Sequence, residues 1–346
     1  MKKRFRKMSD IKVGAVGYGA SFMIARQHLS EMKCAGMQVV CVADIDPPRL
    51  PAARQDFPGI ATYSSATEML AKCDVDLLCI CTPHNTHADL AIECMEAGRN
   101  VVTEKPFAIT TEECDRMIAV RDANKVMLST YHNRHWDGWI MEAVRKIRQE
   151  KLIGDVVRVE AHMGEYSAPG AWWRSSKSIS GGVMYDWGVH LLEYSLQLLD
   201  GNMTEVSGYA HRGFWADKNP YGLEDGIEDE AFGVVRFDSG QRLTLLTSNL
   251  ESAPREGWLT VTGTKGVFII RPGRWKAICQ EKDCKVIREG NDPPSESYRF
   301  YENIGAHLTK GEPLVITAEF ARRPIHILDL ICKSSMANRA MQTIYG

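Results

Sequence analysis

No Cys-x-x-Cys pair occurs among the ten cysteines of this 346-residue chain, which leaves neither a zinc ribbon nor a dithiol redox motif to consider. Cys34, Cys41, Cys73, Cys79, Cys81, Cys94 and Cys114 mostly fall in apolar runs, where a free thiol behaves as a small hydrophobe. Reduced thiols in a cytoplasmic protein are the expected state, and Cys279 and Cys284 read as structural. An excess of charge is lacking too: 42 basic against 44 acidic residues leave a net charge of −2. That balance gives no broad attraction to nucleic acid or to a membrane surface. No apolar run approaches the length of a membrane span. The basic stretch Met1 to Lys7 leads straight into Ile11-Lys12-Val13 without an apolar segment, so a solvated tail is expected rather than a signal peptide. Neither a repeat nor a low-complexity stretch is present. What remains is an ordinary globular composition, 44% hydrophobic, at a length that suggests two domains.

The first half alternates strands with helices. Ile11 to Val16 is a short apolar run that ends in Gly17-Tyr18-Gly19-Ala20, and an amphipathic segment with Met23, Ile24, His28, Leu29 and Met32 follows. This is strand, tight turn and helix, the setting in which two glycines let the backbone approach a pyrophosphate at a helix N-terminus. The third fingerprint position holds Phe22 instead of glycine or alanine. Gln38 to Ala43 reads as a second buried strand and delivers Asp44, placed to bond ribose hydroxyls and to repel a 2′-phosphate. The plainer alternative for Asp44 is a helix N-cap, for which Asp46 competes. Asp76 to Pro83 is a further strand, running into a loop with Thr82, Pro83, His84, Asn85 and His87 on the ligand side of an open parallel sheet. No cysteine or carboxylate completes a metal spacing around the two histidines, so no metal is expected. The helix Ala88 to Ala97 closes on Gly98, and Asn100 to Thr103 is a short strand that delivers Glu104-Lys105-Pro106. Such alternation means βαβ units and a parallel sheet.

A second chemical cluster lies in the other half. Met184, Trp187, Leu191, Tyr194 and Leu198 recur at helical steps after Gly181-Gly182. Asp186 and His190 therefore stand one turn apart on one helix face. A carboxylate beside an imidazole favours the imidazolium and can orient the ring, which suits proton transfer. A surface Asp/His pair is the plainer alternative.

These motifs, in this order, resemble the glucose–fructose oxidoreductase, inositol dehydrogenase and rhizopine-catabolism (Gfo/Idh/MocA) family of NAD(P)-dependent oxidoreductases. The matching residues are the Val-Gly-Tyr-Gly turn, Ala43-Asp44, Thr82-Pro83 through His87, Glu104-Lys105-Pro106, and Gly181-Gly182 through Asp186 and His190. The resemblance implies an α/β N-terminal Rossmann domain over residues 9–131. It also implies an α+β C-terminal domain over 132–346 with a large, mostly antiparallel open sheet and a last helix packing back on the first domain. Gly17, Tyr18, Gly19, Ala20, Asp44, Thr82, Pro83, Asn85, His87, Glu104 and Lys105 are the implied cofactor residues. Lys105, near the nicotinamide and the substrate hydroxyl, joins Asp186 and His190 as the implied catalytic group, and the Lys105–Pro106 bond is a plausible cis peptide. NAD is expected over NADP, since Arg49 is the nearest basic candidate and lies beyond Pro47-Pro48.

The second half is otherwise β-rich. Val156 to Tyr166, Glu205 to Arg212, Ala231 to Phe237, Arg242 to Leu250, Trp258 to Thr262 and Val267 to Ile270 read as strands, several with one apolar face. Asp238-Ser239-Gly240-Gln241 is a hairpin turn signal. Asp137 is expected to cap a helix running to Glu150, and a long helix is expected over Phe320 to Ala340. Trp172 and Trp173 offer flat apolar surfaces for the C–H face of a pyranose, and Arg174 offers donors for hydroxyls. Asn133 and Tyr166 are weaker substrate candidates. The plainer alternative makes one tryptophan core and Arg174 a surface residue.

The function these features imply is NAD-dependent oxidation of a secondary hydroxyl of a sugar, glycoside or cyclitol. His190 would be the base, Asp186 its orienting partner and Lys105 the stabiliser of the developing alkoxide. The expected partners are a small-molecule substrate and further copies of the chain, joined through the large sheet, with no nucleic acid and no membrane. Two other readings share the fold: a glycosidase that oxidises its sugar transiently with NAD, and a dinucleotide-sensing regulator without activity. The second has no need of a proton-transfer set.

Overall fold

In the computed structural model, residues 5–19 and 23–345 are described. The chain divides into two compact units: Met1–His132 with Tyr298–Arg322, and Asn133–Ser297 with Arg323–Gly346. Residues 298–322, expected within the second domain, thus return to the first unit.

In the first unit, β1 (Lys12–Val16), α1 (Ile24–Cys34), β2 (Gln38–Ala43), α2 (Arg49–Asp56), β3 (Ala61–Tyr63), α3 (Ala66–Lys72), β4 (Leu77–Ile80), α4 (His87–Glu96), β5 (Asn100–Thr103), α5 (Thr111–Asn124) and β6 (Leu128–Thr130) follow in order. The strands form one sheet in the order β3-β2-β1-β4-β5-β6, with every neighbouring pair parallel. β4 is buried along its whole length, as a parallel strand covered on both faces requires. Gly98, at φ +78°, follows the end of α4, and a reciprocal Thr110/Glu113 capping box starts α5.

Register decides what this sheet presents. Tyr63, Ala43, Val16, Ile80, Thr103 and Thr130 stand level across the six strands. One residue further on, the ladder still holds. Asp44, Gly17, Cys81, Glu104 and Tyr131 each donate the backbone N–H to a carbonyl of that row. The dinucleotide turn, the Thr82 loop and Lys105 therefore leave the sheet at one level.

The second unit opens with α6 (Gly138–Val144), whose last turn widens into a π-helical stretch over Arg145–Gln149. The Asp137 carboxylate, expected as its cap, accepts instead from Arg134 at 3.2 Å and from the Tyr194 hydroxyl at 3.3 Å. β7 (Val156–Gly164), α7 (Lys177–Ser180), α8 (Met184–Leu196), β8 (Met203–His211), α9 (Gly222–Asp225), β9 (Glu230–Phe237), β10 (Arg242–Ser248), β11 (Leu259–Gly263), β12 (Gly266–Arg271), β13 (Arg274–Glu281) and β14 (Cys284–Asn291) follow. After α10 (Arg299–Lys310), which lies in the first unit, come α11 (Ala318–Ala337) and β15 (Met341–Tyr345). The nine strands run β14-β13-β12-β11-β7-β10-β9-β8-β15, and β7 with β10 is the parallel pair in an otherwise antiparallel sheet. The Asp238–Gln241 turn joins β9 to β10 as expected.

The hydrophobic face of this sheet packs under α8 and α11. A Cβ at Gly188 of α8 would lie 3.3 Å from Leu245 and 3.7 Å from Leu328. Gly208 is tighter: a Cβ there would fall 2.1 Å from the Ile331 carbonyl oxygen, while its N–H donates to Ser334 Oγ at 2.9 Å. Because backbone stands in the way, no rotamer change relieves the contact. Gly208→Ala is therefore expected to cost about 1–3 kcal/mol, a fall in melting temperature on the order of 5 °C. A thermal denaturation curve matching the wild type would contradict this packing.

Candidate active site

In the first unit, the Gly17 N–H is bound to Ala43 O at 2.8 Å. At φ +84°, a Cβ on Gly17 would meet the Cys81 carbonyl at 2.6 Å and Thr82 Cγ2 at 2.8 Å. Both the backbone conformation and the contact demand glycine. Gly19, at φ +74°, has open space where its Cβ would stand, which leaves its backbone approachable by a pyrophosphate. Ala20, and the departure at Phe22, lie outside the described residues. Tyr18 turns its ring into the core, fully buried, and its hydroxyl donates to Asp56 Oδ2 at 2.7 Å. Asp44 accepts the Tyr18 N–H at 2.6 Å on one oxygen and the Asp46 N–H at 2.8 Å on the other. Each oxygen keeps a lone pair for a ribose hydroxyl. Arg49 is paired with Asp46 at 3.1 Å.

The Thr82 loop turns through a 3-10 segment, His84–Thr86, braced by the Thr86 hydroxyl against Thr82 Oγ1 and Pro83 O, both at 2.7 Å. Asn85 is exposed at its tip. His87 is fully buried, with Nδ1 at 2.8 Å from Pro106 O and Nε2 at 2.9 Å from Thr82 O. Burial holds its pKa below the ordinary histidine value. The neutral ring carries one N–H and both facing atoms are carbonyl oxygens, so it donates to one of them at a time while it packs between the Thr82 loop and the Glu104-Lys105-Pro106 loop, whose Lys105–Pro106 peptide is cis. Glu104 accepts the Lys105 N–H on Oε2 at 2.9 Å and meets His28 Nε2 with Oε1 at 2.9 Å. Burial alone would raise the Glu104 carboxyl; the His28 hydrogen bond and charge, with Lys105 beside it, outweigh that and lower it. Burial works the other way on His28, but the Cys79 sulfur and the Glu104 carboxylate carry its pKa upward.

In the second unit, Gly181 ends α7 at φ +92°, and Gly182 follows at φ +127°. The space a Gly182 Cβ would fill is taken by Glu228, whose Oε2 would lie 2.6 Å away. That carboxylate, itself buried, accepts the Val183 N–H at 3.1 Å and also pairs with Lys177. A negative group is thereby held at the N-terminus of α8, where the helix dipole favours it. Asp186 lies in the first turn of α8 and is bound to Arg174 at 2.9 Å. The Arg174 guanidinium lies 4.9 Å over the Trp172 ring and 5.2 Å over the Trp173 ring, a cation–π arrangement. Trp172, Trp173, Arg174 and Asp186 are thus one cluster.

His190 is 5% exposed and shares its helix face with Trp187, at 5.6 Å between ring centroids, and Tyr194, at 6.3 Å. Arg134 lies over Trp187 at 5.2 Å, on the 3-10 turn Asn133–Trp136 that begins with Asn133. Tyr166 stands apart from these, 55% exposed, against Trp215 at 5.3 Å and Phe214 at 6.3 Å. Four functional-looking residues escaped the sequence reading. Glu228 and Tyr301 carry no local signal, His28 reads only as a core position of an amphipathic helix, and Glu193 reads as an exposed helix residue. Glu193 is buried, paired with His135 at 2.5 Å, and burial raises its carboxyl. Among the described residues, no group of three or more His, Cys, Asp or Glu side chains could hold a metal ion, and no helix is long and apolar enough to cross a membrane.

Comparison with known proteins decides the family. Residues 11–132 match the model of the oxidoreductase family with an NAD-binding Rossmann fold, and residues 141–269 match the GFO/IDH/MocA C-terminal domain. The chain belongs to the Gfo/Idh/MocA family. Among similar proteins, scyllo-inositol 2-dehydrogenase (NADP(+)) IolW of Bacillus subtilis is 29% identical, with 97% of each chain covered. Trans-1,2-dihydrobenzene-1,2-diol dehydrogenase of Xenopus laevis is 28% identical over 71% of each chain. The crystal structure of an NAD-binding protein from Listeria innocua superposes with a TM-score of 0.80 at 26% identity, covering 97% of this chain and 98% of that one. This Gfo/Idh/MocA member is an NAD(P)-dependent oxidoreductase, and the Gly17–Gly19 turn, the open space at Gly19 and the spare lone pairs of Asp44 fit the dinucleotide.

Gly17→Ala isolates that fit. With the Cys81 carbonyl in the way, the turn must move, and NADH affinity is expected to fall at least about tenfold (~1.4 kcal/mol). Fluorescence titration with NADH measures it. A dissociation constant equal to that of the wild type would show that the turn does not hold the dinucleotide.

Proposed function

We propose that this oxidoreductase oxidises a ring secondary hydroxyl of a cyclitol or sugar, with NAD preferred over NADP. The observation that carries the reading is the level row at the carboxyl edge of the parallel sheet. Gly17 follows β1 and Lys105 follows β5, two strands away, a span of about 10 Å at the usual strand spacing. That is a reach an extended dinucleotide covers easily. The names of the two relatives describe six-membered rings with adjacent secondary hydroxyls, which supports the substrate class. The cofactor preference rests on Asp44, since a 2′-phosphate would meet its charge while Arg49 is engaged by Asp46. IolW, named for NADP(+), is the counter-example that makes this preference worth measuring.

The bound nicotinamide supplies the hydride acceptor. The chain's residues supply the rest. Lys105 places a cation where the substrate oxygen gains charge, His190 accepts the hydroxyl proton, and Asp186 orients the ring and favours the imidazolium. The Arg174 pairing, absent from the sequence reading, shares the Asp186 charge, so Asp186 favours the imidazolium less strongly than an unpaired carboxylate would. Trp172 and Trp173 serve as apolar platforms for the ring face, with Arg174 fixed against them. Assembly through the outer face of the large sheet, where Tyr209 and Ile287 are exposed, belongs to the same reading.

The test is oxidation of a panel of inositols and aldoses with NAD and NADP, followed as reduced cofactor, across pH. His190→Ala is expected to lower turnover by roughly 10²–10⁴-fold. Asp186→Asn removes the negative charge that favours protonated His190, so the acidic limb of the rate profile should move to lower pH. Normal turnover in His190→Ala, or an unmoved limb in Asp186→Asn, would place the base elsewhere.

A further inference from the structure

Beneath the Lys105 loop lies a buried chain of hydrogen bonds that the reaction as proposed does not use. His28, on α1, and Tyr301, on α10, are both fully buried. The Tyr301 hydroxyl meets His28 Nδ1 at 2.5 Å, and His28 Nε2 meets Glu104 Oε1 at 2.9 Å. The other oxygen of Glu104 accepts the Lys105 N–H at 2.9 Å. A carboxylate can only accept, so Nε2 carries a proton; Nδ1 accepts from the Tyr301 O–H when the ring is neutral and donates to the Tyr301 oxygen when it is protonated, so the run stays bonded in either form. Every atom of this run has a defined role, and it ends on the backbone of the residue assigned to the substrate oxygen.

We propose that Tyr301 and His28 are positioning residues for Lys105, through which the returning segment 298–322 fixes the placement of the amine by holding Glu104. The inference rests on the role given to Lys105 above. Two observations separate it from simple core filling. An interior imidazole and phenol side by side cost more than apolar side chains of similar volume unless each polar atom is bonded, and here each bond leads toward one loop. The same loop is also met on its other side by His87 at Pro106 O, 2.8 Å. The support around His28 is dense as well. The Tyr131 ring lies 4.0 Å from it, and the Tyr131 hydroxyl is bound to Glu31 at 2.5 Å. The Tyr301 hydroxyl is thus the far end of a stiff lever rather than a loose contact. Its removal leaves the aromatic packing of Tyr301 against Phe300 and Tyr131 in place.

Tyr301→Phe is the informative variant, compared with wild type, Lys105→Met and the double mutant. The first measurement needs no substrate. Reductive methylation of the Lys105 amine is timed by peptide mass spectrometry, with Lys72 as an internal reference. In Tyr301→Phe the Lys105 rate is expected to change at least threefold while the Lys72 rate stays the same. The second measurement is turnover on the best substrate of the panel above. kcat should fall about tenfold, as small misplacements of a reacting group do, with NADH affinity within twofold of wild type. In the Lys105→Met background the same change should add nothing, because two residues acting through one group are not additive. An unchanged Lys105 methylation rate, or a loss that adds fully to that of Lys105→Met, would reduce the chain to core structure and overturn the inference while leaving the proposed function intact. Near-normal turnover in Lys105→Met would instead remove the role of Lys105, and the inference with it.

Discussion

The ligand-side edge of the first unit depends on the contact between His28 and Glu104. It is a charge-assisted hydrogen bond in a place that water barely reaches, with the His28 side chain fully buried and that of Glu104 13% exposed. In such surroundings a carboxylate without a partner would take up a proton, whereas the bonded one stays ionised, as the lowered pKa of Glu104 reflects. Around that pair the sheet edge is arranged. Glu104 holds the ladder to Ile80, the Lys105 N–H closes onto Glu104, and His87 packs against the following carbonyl. Loops at the carboxyl end of a parallel sheet are where ligands bind. Here that end is stiffened by buried imidazoles rather than left to loop chemistry.

The second unit solves a related problem with a helix. α8 must begin abruptly after two glycines so that Asp186 and His190 fall within its first two turns. Glu228 makes that start possible: it occupies the space over Gly182 and takes up the Val183 N–H. A side chain at position 182 would displace the carboxylate, so the glycine and the glutamate explain each other. Further along, the aromatic face of Trp187, His190 and Tyr194 is carried on the same helix that packs on β7 and β10. The imidazole is thereby borne by the most buried helix of its unit.

Much of this was legible in the sequence because local pattern and tertiary role coincide there. The Gly17 turn, the apolar parallel strands and the helical spacing of Asp186 and His190 follow from short-range rules, and the structure keeps them. The hairpin β13–β14 is not evident in the sequence: β14 buries no residue, and Val286 beside the exposed Ile287 breaks the alternation. Positions 341–345 were read neither as helix nor as strand, and pair with β8 only through tertiary contact. The partners of the functional residues were the least legible part. Arg174 could be named as a ligand of hydroxyls, but its bond to Asp186 depends on how two segments fold together. Tyr301 reaches His28 across 273 positions, a distance no periodicity spans. His28 itself sits where a helix shows its core face, and spacing cannot tell a packed histidine from a bonded one.

In the proposed reaction a carbon-bound hydrogen of a ring alcohol would pass directly to the nicotinamide and stay there. The most direct measurement uses the first cyclitol or sugar that the enzyme turns over, deuterated at its carbinol carbons, with NAD in ordinary water. Mass spectrometry of the released cofactor should find one deuterium per reduced nicotinamide, matched mole for mole by a ketone product. Reduced cofactor without deuterium, or a cleaved glycoside with no net reduction of NAD, would contradict it.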